Sequence, residues 1–228
     1  MKALFFDAGP IITLVMSRLI WILPKLKEKY GGKFYITPAV KRELVERPLT
    51  IHRFQFEALQ VMRLINEGIL EVYTDVPQKR VDELISLANK TFSVKKRSLD
   101  IVQEGEVESI STACQLDDAA VVMDERTLRL FIEKPENMES LLEHRFKHDV
   151  KTDLLLMKQF QEQLKGVTII RSIELVGVAF KLGMLDCYLP QQENAKELLL
   201  ESVLWATKYN GCAVTNHEIE ELKQFLLK

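Results

Sequence analysis

The chain is poor in the residues that announce a specialised class. Its 228 residues include three cysteines, Cys114, Cys187 and Cys212. They are scattered, odd in number and without a C-x-x-C pair. That excludes a disulfide framework and reads as free thiols in a reducing compartment. The four histidines offer little more. His144 and His148 are four apart and would share a helical face, but no H-E-x-x-H motif surrounds them and charged residues are interleaved, so a solvated face is the better reading than zinc. Charge of one sign is also lacking. Lys and Arg number 31 against 33 Asp and Glu, a net charge of −2, so no overall basic field advertises a nucleic-acid partner. Any such partner must be held by local basic patches or through metal ions. Long hydrophobic runs are missing too. The strongest, residues 11–23, contains Ser17 and Arg18 and falls short of the roughly 20 apolar residues of a membrane span. The apolar run that starts at residue 3 carries Asp7 inside it and is no secretory signal. The expectation is a cytoplasmic protein with no membrane association. No internal repeat or low-complexity segment is present.

What is present is an ordinary globular balance, 47% hydrophobic and 28% charged, long enough for one domain plus an elaboration. Residues 3–6 form a continuous apolar stretch of strand length, as expected of a parallel strand buried on both faces. Further strands are expected at residues 34–36, 69–73, 119–123 and 167–170. Helices are expected between them: residues 11–23 with Pro24 as a bend or stop, a helix opened by Thr37-Pro38 and ended by Pro48, then 53–66, 81–90 and 105–115, and one starting at 126. Residues 95–97 read as a loop or helix edge, and 134–165 as polar and helical without a strand. Ser172 reads as the cap of a helix reaching about 182, and residues 194–228 as two helices broken at Asn210-Gly211. Strands alternating with helices imply an α/β fold with a central parallel sheet of about five strands and helices on both faces, a three-layer α/β/α sandwich.

Ligands of such sheets bind at the carboxyl ends of the strands. Asp7 and Asp124 both close strands, Glu43 lies on the helix after Thr37-Pro38, and Glu106 and Glu108 lie on the helix near Gly105. Carboxylates that converge in a buried place repel one another and need a cation. An oxygen-only set suits Mg²⁺ or Mn²⁺. Taken singly, each acid has a plain alternative. Asp7 and Asp124 would serve as helix caps, Glu43 as a solvated residue, and the Glu106 region as an acidic first turn.

Four segments carry a resemblance. Leu4-Phe5-Phe6-Asp7-Ala8-Gly9-Pro10-Ile11-Ile12 is similar to the opening motif of PIN-domain ribonucleases, and Ile36-Thr37-Pro38-Ala39-Val40-Lys41-Arg42-Glu43-Leu44 to their second. Gly105-Glu106-Val107-Glu108-Ser109-Ile110 resembles the G-E-x-E-A-I helix of one PIN branch that includes VapC-like toxins. Val121-Val122-Met123-Asp124-Glu125-Arg126 resembles its strand-end acidic motif. The resemblance implies Mg²⁺- or Mn²⁺-dependent hydrolysis of phosphodiester bonds, with single-stranded RNA as substrate. It assigns the catalytic and metal positions to Asp7, Glu43, Glu108 and Asp124. Glu106, Glu125 and Thr13 are alternative or supporting ligands, Arg126 lies near a phosphate, and Lys95, Lys96 and Arg97 are candidate backbone contacts. It also implies a homodimer and the option of an antitoxin partner. The implied PIN-like domain covers residues 1–185 with a helical insertion at about 134–165, and residues 186–228 form a helical extension packed on it. The chain departs from the family in having Ala8 and Gly9 where many members carry Ser or Thr, Thr13 being the nearest hydroxyl.

Two rivals stand beside this reading. One is a catalytically weak PIN-like module kept for nucleic-acid binding or protein assembly. The other is a phosphatase with Asp7 as nucleophile, which would want an acid two residues on, where the chain has Gly9.

Overall fold

The computed structural model describes residues 2–228. Eight strands occur in chain order: β1 (Ala3–Phe6), β2 (Lys33–Ile36), β3 (Glu71–Val72), β4 (Phe92–Val94), β5 (Arg97–Ser98), β6 (Ala119–Val122), β7 (Lys151–Thr152) and β8 (Thr168–Ile170). Five of them build the central sheet in the order β3–β2–β1–β6–β8, every pairing parallel. The helices are α1 (Ala8–Met16), α2 (Ile22–Tyr30), α3 (Pro38–Lys41), α4 (Arg47–Leu49), α5 (Gln55–Asn66), α6 (Gln78–Thr91) and α7 (Glu104–Ala113). After them come α8 (Arg126–Glu133), α9 (Met138–Phe146), α10 (Leu154–Gln163), α11 (Ser172–Lys181), α12 (Ala195–Tyr209) and α13 (Asn216–Leu227). Helices cover both faces of the sheet, so the architecture is a three-layer α/β/α sandwich. Among the described residues no helix is long and apolar enough to cross a membrane.

The continuous apolar strands follow from this layering. Successive side chains of a strand point to opposite faces, so a strand covered on both sides is apolar throughout. Leu4 and Phe6 of β1 join Phe34, Ile36 and Val122 in a core closed by α1, α2, α5, α11, α12 and α13. Ala3 and Phe5 join Tyr35, Val121 and Met123 in a second core on the other face, closed by α6 to α10.

Several expectations are corrected. The apolar stretch 11–23 is not one helix. α1 ends at Met16 and α2 begins at Ile22, with Arg18 between them in the left-handed region at φ 59°. Pro24 therefore does not stop a helix; it sits in the first turn of α2, where no intrahelical N–H is lost. Pro48 does not end its helix either. A π-helical turn, Arg42–Glu46, lies between α3 and α4, and the path runs on to Leu49. The wider turn accommodates the N–H that Pro48 lacks.

Residues 134–165 are not wholly helical. They contribute β7, which pairs antiparallel with β4, and β4 pairs with β5, giving a second, three-stranded sheet. Residues 95–97, expected as a loop or helix edge, are the tip of the β4–β5 hairpin and the start of β5. Phe131 fastens this elaboration to the domain, stacking on Phe160 at 4.2 Å and meeting Phe92 edge-on at 5.2 Å.

Candidate functional site

The strand order reverses between β1 and β6: β2 and β3 lie on one side of β1, β6 and β8 on the other. In sheets of this kind ligands bind at the carboxyl ends beside such a reversal, and Asp7 and Asp124 follow the two strands that meet there. Asp7 N–H donates to Val122 O at 2.9 Å, and the Asp7 carboxylate caps α1, accepting from Gly9 N–H at 3.2 Å. A side chain at position 9 would meet Asp7 Oδ2 at 3.3 Å and Asp124 Cβ at 3.7 Å, so glycine there lets the two strand ends close up.

Glu43 comes in on the π-helical turn. The α7 N-terminus approaches it so closely that a Cβ on Gly105 would stand 3.2 Å from Glu43 Oε1. Thr37 caps the α3 start, accepting from Val40 N–H, and Glu108 Oε2 accepts from Ala39 N–H at 3.0 Å. Glu108 thus occupies a free donor of the first helical turn and fixes the element that carries Glu43. Glu106 reaches back to Gln103 N–H with Oε2 at 3.0 Å.

The electrostatics of these acids are unusual. Burial pushes the Asp7 carboxyl up to about 7, with the charges of Glu43 and Asp124 adding to it against hydrogen bonds from Ala8 and Gly9. Burial likewise pushes Glu106 up to about 8, and Asp7, Glu125 and Glu43 add repulsion. Glu43 is raised as well, first by burial and then by Glu104 and Glu108, with Arg47 and Arg42 opposing. Asp7 is thus raised by Glu43 and Asp124, Glu106 by Asp7, Glu125 and Glu43, and Glu43 by its neighbours on α7, Glu104 and Glu108. Like charges held in a dry place favour the neutral acid until a cation arrives.

Asp124 is 2% exposed and differently placed. It accepts from Thr13 Oγ1 at 2.8 Å, Ser172 Oγ at 2.7 Å and Ser172 N–H at 2.8 Å. Burial, and next the Asp124 charge, push the neighbouring Cys212 thiol up to about 12. Thr13, expected beside the first aspartate, serves the other one. Ser172 is not the cap of α11; that place belongs to Arg171, and the Ser172 hydroxyl is spent on Asp124. Nothing in the local sequence separates such a serine from an ordinary cap.

The remaining candidates are distributed as follows. Glu125 caps α8, its Oε2 accepting from Leu128 N–H at 2.8 Å. Arg126 is exposed on the first turn of α8 and lines a cleft of about 560 Å³ together with Arg129 and Arg171. Lys95, Lys96 and Arg97 lie on the hairpin of the smaller sheet, outside that cleft. His144 and His148 do not share a helical face, because α9 ends at Phe146 and Lys147 turns left-handed at φ 55°.

Among the described residues no three His, Cys, Asp or Glu side chains are grouped in ligating geometry. The carboxylates gathered near these strand ends are mutually repulsive oxygen donors, buried except for the half-buried Glu43, a chemistry that suits a hard divalent cation keeping most of its water and taking one or two carboxylates. Compared with protein-family models, curated proteins and solved structures, the chain matches none.

Proposed function

We propose that this protein is a divalent-metal-dependent nuclease of the PIN type that hydrolyses phosphodiester bonds of single-stranded RNA. One observation supports the reading: Asp7 follows β1 at the switch point of the sheet, buried and without an ion pair among the described residues, and the charges of Glu43 from the π turn and Asp124 beyond β6 add to the burial that raises its carboxyl to about 7. Asp7 and Glu106 each cap a helix start through one carboxylate oxygen and make no ion pair among the described residues. Asp124 has both oxygens engaged, by Thr13 and Ser172, which makes it the rigid wall of the site.

In this reading Asp7, Glu43 and Glu106 hold Mg²⁺ or Mn²⁺. When bound, the ion supplies Lewis-acid polarisation of the scissile phosphate and charge for the leaving oxygen. Asp7 is oriented by its cap to Gly9, and Glu106 by Gln103 through Oε2. With a cation bound, Glu106 would give up its own proton to solvent, and its other oxygen would then be free to orient water beside the phosphate. Glu108 keeps the Glu43 turn in place from behind. Glu106 is preferred to Glu108 as the acid of α7 at the site because it carries repulsion from Asp7 as well as Glu43, whereas Glu108 acts on Glu43 and holds Ala39 N–H.

Glu106→Gln tests the assignment. Cleavage of single-stranded RNA with Mn²⁺ should fall by about a hundredfold or more, the size expected of a positioned acid–base group, and calorimetric Mn²⁺ affinity should drop with it. Glu108→Gln should lose far less activity and show its effect in thermal stability. Equal cleavage by wild type and Glu106→Gln would remove Glu106 from the site. A second reading, a PIN-like module that binds without cutting, is favoured by the lack of a preformed ligating trio. The same calorimetry separates the two, since a module without a working site takes up no stoichiometric Mn²⁺.

A further inference from the structure

The cleft beside the carboxylates has the opposite chemistry. Arg126, Arg129, Lys134 and Arg171 line it, with Glu133, Glu174 and Glu218 as the acids. Two of those acids are already engaged. Arg171 Nη2 meets Glu174 Oε1 at 2.6 Å and its Nη1 meets Glu218 Oε1 at 2.6 Å, an arrangement that ties α11 to α13. Glu133 stands off from Arg129 Nε at 3.9 Å and is half exposed. Arg126 and Lys134 make no ion pair among the described residues.

Arg129 is the residue that needs explaining. Its side chain is only 14% exposed. Nη2 donates to Ala213 O at 3.2 Å, while Nη1 is buried without any acceptor. A buried guanidinium N–H without a partner is costly, and this one belongs to a side chain lining an open cleft with two further uncommitted cations.

The cleft and the carboxylate cluster share a wall. Ala213, which receives Arg129 with its carbonyl, donates its N–H to Asp124 O at 3.2 Å. Arg171 directly precedes Ser172, whose hydroxyl and N–H bind Asp124, and Arg126 follows Asp124 by two residues. The cleft therefore adjoins the Asp124 side of the carboxylate cluster.

We infer that the Arg126–Arg129–Lys134 cleft is a phosphodiester-binding site that grips the substrate strand, with the exposed Arg126 and Lys134 as its accessible donors and the Arg129 guanidinium as the buried charge beneath them. The choice of strand rests on the nuclease reading; the anion chemistry does not. Guanidinium groups match phosphate oxygens in geometry and charge.

The test is fluorescence anisotropy of a short labelled single-stranded RNA with the full-length chain in EDTA, across a salt titration. Arg129→Ala and the exposed Arg126→Gln should each weaken binding by about tenfold and reduce the slope of log K against log salt by about one. Arg129→Lys should recover part of the affinity, and circular dichroism should show all three variants folded. Unchanged affinity and slope in both Arg129→Ala and Arg126→Gln overturns the site, as does a wild type that binds no RNA. The deoxy strand of the same sequence is the second arm. An equal loss there supports phosphate as the recognised group, and a loss confined to RNA overturns it in favour of the sugar. Because no metal is present, failure of the nuclease reading is seen separately, in the Mn²⁺ calorimetry of Glu106→Gln.

Discussion

Asp7→Asn is expected to abolish Mn²⁺-dependent cleavage and, without metal, to make the protein more stable than wild type at pH 8. The sign follows from proton linkage. Native Asp7 keeps its proton up to about 7, whereas the unfolded chain releases it near the ordinary 3.8. Between those values the folded state binds more protons, so stability falls as pH rises. At about 1.4 kcal/mol per pH unit this costs the native state on the order of 4 kcal/mol once pH exceeds 7. Asparagine keeps the side-chain oxygen that caps Gly9 N–H and carries no charge to bury. In EDTA, wild type and Asp7→Asn should melt alike near pH 4 and diverge progressively to pH 8, with the variant higher. Saturating Mn²⁺ should close most of the gap, by stabilising the wild type and not the variant. A ligand at a hundred times its Kd stabilises by about 2.7 kcal/mol, and the variant has lost a ligating carboxylate. Melting scans across pH, with and without Mn²⁺, measure both effects. Should Mn²⁺ raise the two melting temperatures equally, or the variant melt lower in EDTA at pH 8, Asp7 is no cation ligand.

The layered architecture was legible because β1 and β6 lie in short continuous apolar runs, residues 3–6 and 119–123, each followed by an aspartate and separated by helical segments, as doubly covered parallel strands are. The acids at those ends were legible for the same reason. The smaller sheet was not. β5 and β7 are two residues each, Arg97–Ser98 and Lys151–Thr152, with no apolar alternation to read. Their hairpin also turns on Lys95 and Lys96 at φ 48° and 67° rather than on the Asn-Gly pair that marks such turns. The break after α1 was hidden in a similar way, since Arg18 adopts a left-handed conformation that glycine or asparagine would have announced. Within the site, α7 offered two acids two residues apart. Only the tertiary fold brings the charges of Asp7 and Glu43 to bear on Glu106 and sets Glu108 on Ala39 N–H. The partners of Asp124 come from positions 13 and 172, a pairing that no spacing rule encodes.

Asp124 should respond in the opposite sense to Asp7, although both follow strands that meet at the same reversal. Its carboxylate receives three donors, from Thr13 Oγ1, Ser172 Oγ and Ser172 N–H. Hydrogen bonds to a buried charge stabilise more than neutral ones, and removal of the acceptor leaves each donor dry. Asp124→Ala strands all three at about 1–3 kcal/mol each, so the loss should exceed about 4 kcal/mol, a size that single substitutions rarely reach. Asp124→Asn should cost less, because its oxygen can keep Ser172 N–H while its amide faces two hydroxyls able to rotate and accept. Thr13→Val and Ser172→Ala each remove one donor and should lose about 1–2 kcal/mol. Combined with Asp124→Ala they should add little, because the interaction is already gone. Urea unfolding of the four variants and the two double mutants measures this. The destabilisation should extend to the end of the chain, since Ala213 N–H rests on Asp124 O and Ser172 opens α11, against which α12 and α13 pack. Hydrogen exchange in α12 and α13 should therefore quicken in Asp124→Ala and stay unchanged in Asp7→Asn. If Asp124→Ala instead raised metal-free stability as Asp7→Asn does, the carboxylate would be a second uncompensated charge and the division between a charged floor and a rigid wall would fall.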